Sequence, residues 1–223
     1  MERAELRELA LATGCAEEHG GFVFLNDPKW GVEERAQFAA IMAAVPEGRR
    51  EGGRGWLCVP SGGTSGGVKF ARHDEKTLTA AVSGFCGHFG ISRVNAVDVL
   101  PAHHVSGLMA RVRCAATGGR RVGCSWKELE AGRFPSVEGE PEGWVVSLVP
   151  TQLQRLLGSA AAREWLRAFR LIFVGGGPAW ADLTEAAREA RLPISLCYGM
   201  TETAAMIAAQ RPEEFAVHKR GCG

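Results

Sequence analysis

A run of glycines and hydroxyls ending in a cation, Ser61-Gly62-Gly63-Thr64-Ser65-Gly66-Gly67-Val68-Lys69, follows a short apolar segment, Trp56 to Val59. Backbone N–H groups, hydroxyls and an ammonium are donors that phosphate oxygens accept. Glycine permits the close approach and the positive φ angles that a phosphate-binding concavity needs. The spacing is not that of a Walker A loop, which places Lys directly after the last glycine and Ser or Thr after it. Here Val68 separates Gly67 from Lys69, and Phe70 follows. The glycine spacing of a dinucleotide fingerprint is also missing. Composition alone leaves a flexible surface loop as the alternative.

Two later segments could share that chemistry. Pro101-Ala102-His103-His104-Val105-Ser106-Gly107-Leu108 stands at the end of an apolar run, and strand ends are where open α/β sheets place ligands. A histidine there can donate to a carboxylate or pack beside an acyl group; equally, His104 or Ser106 could cap a helix. Tyr198-Gly199-Met200-Thr201-Glu202-Thr203 joins an expected strand to an expected helix. Thr201 at a helix start would attract phosphate, Glu202 could hold Mg²⁺, and Tyr198 could pack on a base or an acyl chain. The plainer alternative is an N-capping Thr with a first-turn Glu on the helix dipole.

The elements that must position these residues alternate between strand and helix, which signals an α/β fold. Helices are expected over Glu2 to Leu11 and Glu33 to Ala44, a strand over Leu57 to Pro60, and a helix over Asp74 to Phe89. In that helix Leu78, Val82, Phe85 and Phe89 share one face. Asp74 is a plausible N-cap, although Glu75-Lys76-Thr77 offers no capping box. Val94 to Leu100 reads as a buried strand, and Val105 to Ala116 as a helix stopped by Gly118-Gly119. Glu128 to Glu142 reads mostly as loop with a short helix. Val145 to Val149 is a strand ended by Pro150. Thr151 to Leu157 and Ala160 to Ala168 are helical, with Trp165 and Phe169 as core or contact residues. Leu171 to Val174 is a strand opening into Gly175-Gly176-Gly177-Pro178. Ala179 to Ala190 is then helical, Ile194 to Cys197 a strand and Thr201 to Ala209 a helix.

The 223 residues, 46% hydrophobic and 23% charged, make an ordinary globular composition. A net charge of +1 argues against a broad nucleic-acid or membrane footprint. Arg49, Arg50 and Arg54 read as a solvated turn. No apolar run approaches the ~20 residues of a membrane span, and Met1 to Leu6 holds no signal-peptide core. Seven cysteines are scattered with no C-x-x-C pair, so a zinc site is not expected. They read as reduced core thiols of a cytoplasmic protein. Cys58 and Cys197 fall in expected strands. Oligomeric state is not legible.

Taken in order, these motifs resemble the adenylate-forming acyl-CoA synthetases. The loop matches that family's phosphate loop. His104-Val105-Ser106-Gly107 and Tyr198-Gly199-Met200-Thr201-Glu202-Thr203 match its next two signatures, and Gly175-Gly176-Gly177-Pro178 its adenine-side turn. Phe70-Ala71-Arg72-His73, His104 to Met109, Ser147 to Leu153 and Gly177-Pro178-Ala179-Trp180 narrow the resemblance to o-succinylbenzoate–CoA ligases. It runs from about Pro28 to Glu214. Val68 stands where the wider family commonly has proline.

The resemblance implies the layered α/β N-terminal domain of an adenylate-forming enzyme, truncated, with residues 1–223 forming only part of that large domain. It also implies a two-step reaction: a carboxylate attacks the α-phosphate of ATP, and coenzyme A then displaces AMP. By resemblance, Lys69, Thr201 and Glu202 are catalytic. Ser61, Gly62, Gly63, Thr64, Ser65, Gly66 and Lys69 hold the β- and γ-phosphates, Thr201 the α-phosphate and Glu202 Mg²⁺. Gly175, Gly176, Gly177, Tyr198, Gly199 and Met200 complete the nucleotide side. His104, Ser106, Gly107 and, more weakly, Thr151 border the acyl substrate. The second carboxylate of o-succinylbenzoate needs a donor; His104, Ser106 and an unassigned Arg are the options. The family's ribose-binding Asp and the Lys of its small C-terminal domain are not found, so little turnover is expected of the chain alone. Another acyl- or aryl-CoA ligase and a non-catalytic nucleotide- or acyl-binding module remain alternatives. Without nucleotide, Gly62 to Gly67 is expected to be mobile.

Overall fold

The computed structural model describes residues 1–45, 55–62, 67–140 and 143–218. Arg49, Arg50 and Arg54, Gly63 to Gly66 and the mobility expected of that loop lie outside them. The chain opens with helix α1 (Arg3–Leu11), strands β1 (Ala16–His19) and β2 (Phe22–Leu25), helix α2 (Val32–Ala43) and strands β3 (Leu57–Ser61) and β4 (Lys69–His73). Then come α3 (Glu75–Phe89), β5 (Asn95–Asp98), α4 (Val105–Thr117), β6 (Arg121–Gly123), α5 (Trp126–Glu130) and β7 (Trp144–Leu148). The remainder is α6 (Pro150–Leu157), α7 (Ala160–Arg167), β8 (Leu171–Val174), α8 (Ala181–Glu189), β9 (Ile194–Met200), β10 (Ala205–Ala209) and α9 (Pro212–Ala216).

Two sheets result. One has four strands in the order β1-β2-β3-β4; the other has six in the order β10-β9-β8-β7-β5-β6. In the larger sheet β5 to β9 run parallel and β10 pairs antiparallel with β9. Of its central strands, β8 is apolar at every position and β7 at all but Ser147, because both faces are covered. In β7, Trp144, Val146 and Leu148 pack on the side of α6, α7 and α8, whereas Val145 faces α3 and α4. In β8, Ile172 and Val174 take the first side, Leu171 and Phe173 the second. Helices α3 and α4 also give Leu78, Val82, Leu108, Met109 and Val112 to the core under the four-stranded sheet. The layers therefore run small sheet, helix pair, large sheet, helices. Trp165 and Phe169 are both buried.

Three expectations are corrected. Thr201 to Ala209 is not a helix: Thr201–Thr203 form a single 3₁₀ turn, and β10 returns antiparallel along β9. Thr201 therefore has no helix N-terminus to offer a phosphate. The N-terminus of α3 does carry a capping box, because Thr77 replaces the usual Glu: the Asp74 carboxylate accepts from the Thr77 N–H at 2.9 Å and Thr77 Oγ1 accepts from the Asp74 N–H at 2.9 Å. Strands β1, β2, β4 and β6 were not expected from the sequence. Cys15, Cys58, Cys86, Cys114, Cys124 and Cys197 carry no disulfide. Burial pushes the Cys58 and Cys114 thiols up to about 11, as suits core residues. Among the described residues, no helix is long and apolar enough to cross a membrane.

Two substitutions test these local arguments. Asp74→Ala is expected to cost about 1 kcal/mol at neutral pH by chemical denaturation. Hydrogen bonding from Thr77 holds the Asp74 carboxyl below its usual range. Its stabilisation is therefore complete above the unfolded carboxylate pKa of about 4 and fades as pH falls through the folded value. A wild-type-to-variant difference that stays constant through the acid range would contradict this. Gly199→Ala would bring a Cβ within 1.8 Å of the Ala205 carbonyl oxygen. Only parting β9 from β10 relieves that clash, so a loss of about 3 kcal/mol or more is expected. A wild-type melting temperature would contradict it.

Candidate functional site

The large sheet reverses its winding at β5. From β5 the chain passes through α4 to β6 on one side, then crosses back over β5 to place β7 on the other. Open α/β sheets hold ligands beyond the carboxyl ends of the strands at such a point. A cavity of about 770 Å³ lies there. The connection from β5 into α4 contributes Leu100, His103, His104, Val105 and Ser106. The ends of β7, β8 and β9 contribute Val149, Gly176, Gly199 and Met200, and the 3₁₀ turn adds Thr201 and Glu202. The small sheet supplies Pro60, Ser61, Gly62, Gly67, Val68 and Lys69. Asp27, Trp30 and Glu34 close the wall from the β2–α2 segment.

The two sheets meet through side-chain contacts at this cavity. Ser61 Oγ donates to Glu202 Oε1 at 2.6 Å. That hydrogen bond holds the Glu202 carboxyl below its usual range, so it is an anion at neutral pH. The His73 Nε2–H donates to the Thr201 carbonyl at 2.8 Å. On the far side of the loop, the Val68 N–H donates to Gln37 Oε1 of α2 at 2.7 Å. Phe70 packs edge-on against Phe24 at 5.3 Å, which anchors β4 and the Lys69 at its start. After the turn, Ala204 and Ala205 both adopt positive φ, 54° and 78°. Such backbone costs about 1 kcal/mol or more per non-glycine residue, and the β9–β10 pairing holds it in place.

Helix α4 enters the site over its own approach. A Cβ at Gly107 would lie 2.2 Å from the Pro101 carbonyl oxygen, so only glycine lets the first turn pack on residues 100–101. This sets His104 and Ser106 at the cavity wall. Burial, with His104 beside it, pushes the His103 imidazole below its usual range despite Asp27. A second cavity, about 60 Å³, shares Val105, Ser106 and Gly199 with the first and is floored by Arg113, Ser147, Phe173, Cys197 and Met206. Arg113 is 6% exposed, with its guanidinium 4.2 Å from the centre of the Phe85 ring. Its Nε has no hydrogen-bond partner among the described residues. Desolvation lowers its pKa to about 10, so it stays a cation. The titratable groups acting on it are the thiols of Cys197, Cys86 and Cys114, with no carboxylate among them.

The structure thus brings Ser61, Gly62, Lys69, His104, Ser106, Gly176, Gly199, Met200, Thr201 and Glu202 around one space. Gly63, Thr64, Ser65 and Gly66 lie outside the described residues. Gly175, Gly177, Tyr198, Gly107 and Thr151 do not line the cavity. Tyr198 is 56% exposed on β9, Thr151 is exposed in the first turn of α6, and Gly107 is a packing residue. Sequence reasoning passed over Asp27, Trp30, Glu34 and Arg113. The signal for Arg113 was available: it stands two helical turns after Ser106, on the same face, in a helix apolar on either side of it.

A family model, the AMP-binding enzyme, matches residues 57–223. The chain is 35% identical over 123 residues to a 2-succinylbenzoate–CoA ligase of Geobacillus kaustophilus, covering 55% of the chain and 24% of that protein. It is 29% identical over 159 residues to one of Enterococcus faecalis, covering 70% and 32%. Among solved structures, the o-succinylbenzoate CoA synthetase of Bacillus subtilis in complex with AMP superposes with a TM-score of 0.65 at 24% identity, covering 91% of the chain and 44% of that one. The Escherichia coli enzyme with a bound phenylether-linked analogue gives 0.57 at 26%, covering 75% and 35%. The chain spans a quarter to a third of these curated relatives and less than half of these solved chains. With a match over most of its length, the chain belongs to the AMP-binding enzyme family.

Proposed function

We propose that this chain is the nucleotide- and acid-binding part of an acid–thiol ligase that adenylates o-succinylbenzoate and passes the acyl group to coenzyme A. One observation carries the reading: the Ser61–Lys69 segment and the Thr201–Glu202 turn, from different sheets, face one cavity and are joined by the Ser61–Glu202 hydrogen bond. In the first step a carboxylate oxygen attacks the α-phosphorus, and the bond to the departing pyrophosphate breaks. In the second, the thiol sulfur attacks the acyl carbon, AMP leaves with the bridging oxygen and the thiol loses its proton. Both steps develop charge on oxygens that fixed donors can stabilise. Ser61 and Lys69 present a hydroxyl and an ammonium to the outer phosphates. Thr201 stands where the reacting phosphate would sit, its turn held by His73. Glu202 is an anionic oxygen ligand of the hard kind that suits Mg²⁺, whose charge would offset that of the phosphates.

The acid is placed by the smaller cavity. Arg113 at its floor is a desolvated cation without a carboxylate, and Ser106 and Ser147 add hydroxyls. A buried charge is retained at a cost when a hydrophobic isostere would serve the fold as well. An incoming carboxylate compensates it by a charge-assisted, bidentate pair. A substrate with one carboxylate to react and another to be held fits both cavities, as an aromatic dicarboxylic acid does. o-Succinylbenzoate has that form, and the relatives' names point the same way.

Binding is the measurement suited to a chain that spans a fraction of its relatives' length. Calorimetric titration of the wild type should show affinity for o-succinylbenzoate. Arg113→Met should lower that affinity about 10- to 100-fold, the worth of one charged hydrogen-bonded pair, and leave binding of a matched monocarboxylate unchanged. Arg113→Met should also melt no lower than wild type, because it removes an unpaired buried charge. Equal dicarboxylate affinity in both proteins would reject the role. Separately, Lys69→Ala or Glu202→Gln should weaken binding of ATP with Mg²⁺ while the fold, followed by circular dichroism, stays intact. Unchanged nucleotide binding in both variants would remove the assigned roles.

A further inference from the structure

One wall of the larger cavity holds three side chains with metal-ligand chemistry. Asp27 lies just after β2, and His103 and His104 lie before α4. Each offers one ligand atom, and these atoms all fall within 4.8 Å of one another. The pair Asp27 Oδ2–His103 Nε2 is 3.4 Å apart, beyond the usual range of an N–H···O bond. Zinc bonds of 2.0–2.2 Å to nitrogen and oxygen place two ligands of a tetrahedral ion about 3.4 Å apart. The carboxylate is also pre-oriented. Its Oδ1 accepts from the Lys29 backbone N–H at 2.8 Å, which turns Oδ2 toward the imidazole, and such outer hydrogen bonds fix ligands at metal sites. His103 is 7% exposed, so burial holds its ring in place. His104 is exposed, its ring centroid 4.4 Å from that of His103, and it is free to turn the remaining distance.

We infer that Asp27, His103 and His104 form a site for a divalent transition-metal ion of the Zn²⁺, Co²⁺ or Ni²⁺ class on the wall of the larger cavity. Two imidazoles and one carboxylate select this borderline class over Mg²⁺, which prefers oxygen ligands throughout. The site is therefore separate from the Glu202 carboxylate. Three protein ligands leave a fourth position of a tetrahedral ion open. Asp27, His103 and His104 all line the cavity, so water or a carboxylate of a bound acid can take that position. Asp27 reaches the site from the small sheet side and the histidines from the large one, so an ion there would join the two.

Titration of the 223-residue chain with Co²⁺, followed by visible absorption, tests the site. Saturable binding of one ion is expected, with the d–d bands of nitrogen and oxygen ligands and no thiolate charge-transfer band. Excess Mg²⁺ should not displace the ion. Asp27→Asn and His103→Gln should each weaken binding by at least about 10- to 100-fold, the loss already typical of outer-shell changes. A measurement on the unaltered chain guards against misfolded variants. Added Zn²⁺ should shift the imidazole ¹⁵N resonances of His103 and His104 and leave those of His19, His88 and His218 in place. Absence of saturable binding, a thiolate band, affinity unchanged in both variants, or shifts confined to other histidines would each overturn the proposal.

Discussion

Burial of α4 between two sheets is the constraint on which the rest of this structure depends. It is fully exposed only in its last turn, at Ala115 and Ala116. Leu108, Met109 and Val112 belong to the core under the small sheet, and Cys114 to the core under the large one. A helix apolar on two faces can join two sheets that share no strand. Its entry is fixed by Gly107, whose missing Cβ lets the first turn settle on the Pro101 carbonyl. That contact decides where His103, His104 and Ser106 stand. The same burial strips water from Arg113, two turns further on, and leaves its charge to be met from the small cavity.

Once α4 fixes the sheets relative to each other, two motifs separated by 141 residues come within a hydrogen bond at Ser61 and Glu202. The site is thus assembled from strand ends of both sheets, with neither half able to enclose it. The positive φ angles of Ala204 and Ala205 fit this view. Strained backbone persists where its surroundings over-determine it, and here the turn carrying Thr201 and Glu202 is held by β9, β10 and His73.

Elements whose pattern is set by burial on both faces were legible in the sequence. β7 and β8 are short apolar runs, and their alternation between two cores needs no knowledge of partners. Thr201 to Ala209 was misread because its Ala and Met residues favour a helix when taken alone. Pairing with β9 outweighs that weak preference. The β1–β2 hairpin had a local signal that went unused: Gly20 and Gly21, with φ of 56° and 80°, make the two-residue turn such a hairpin prefers. The motif residues of the cavity were readable because glycine, hydroxyl and acid types announce their chemistry. Asp27 and Trp30 were not, since their role comes from which element covers them.

The proposed carboxylate role of Arg113 rests on α4 delivering an unpaired guanidinium to the small cavity. The most direct measurement follows the Arg113 Nε–H resonance by ¹⁵N NMR while o-succinylbenzoate, or a matched monocarboxylate, is added. A shift and slower hydrogen exchange are expected with the dicarboxylate alone. A resonance unmoved by the dicarboxylate, or moved equally by both acids, would contradict it.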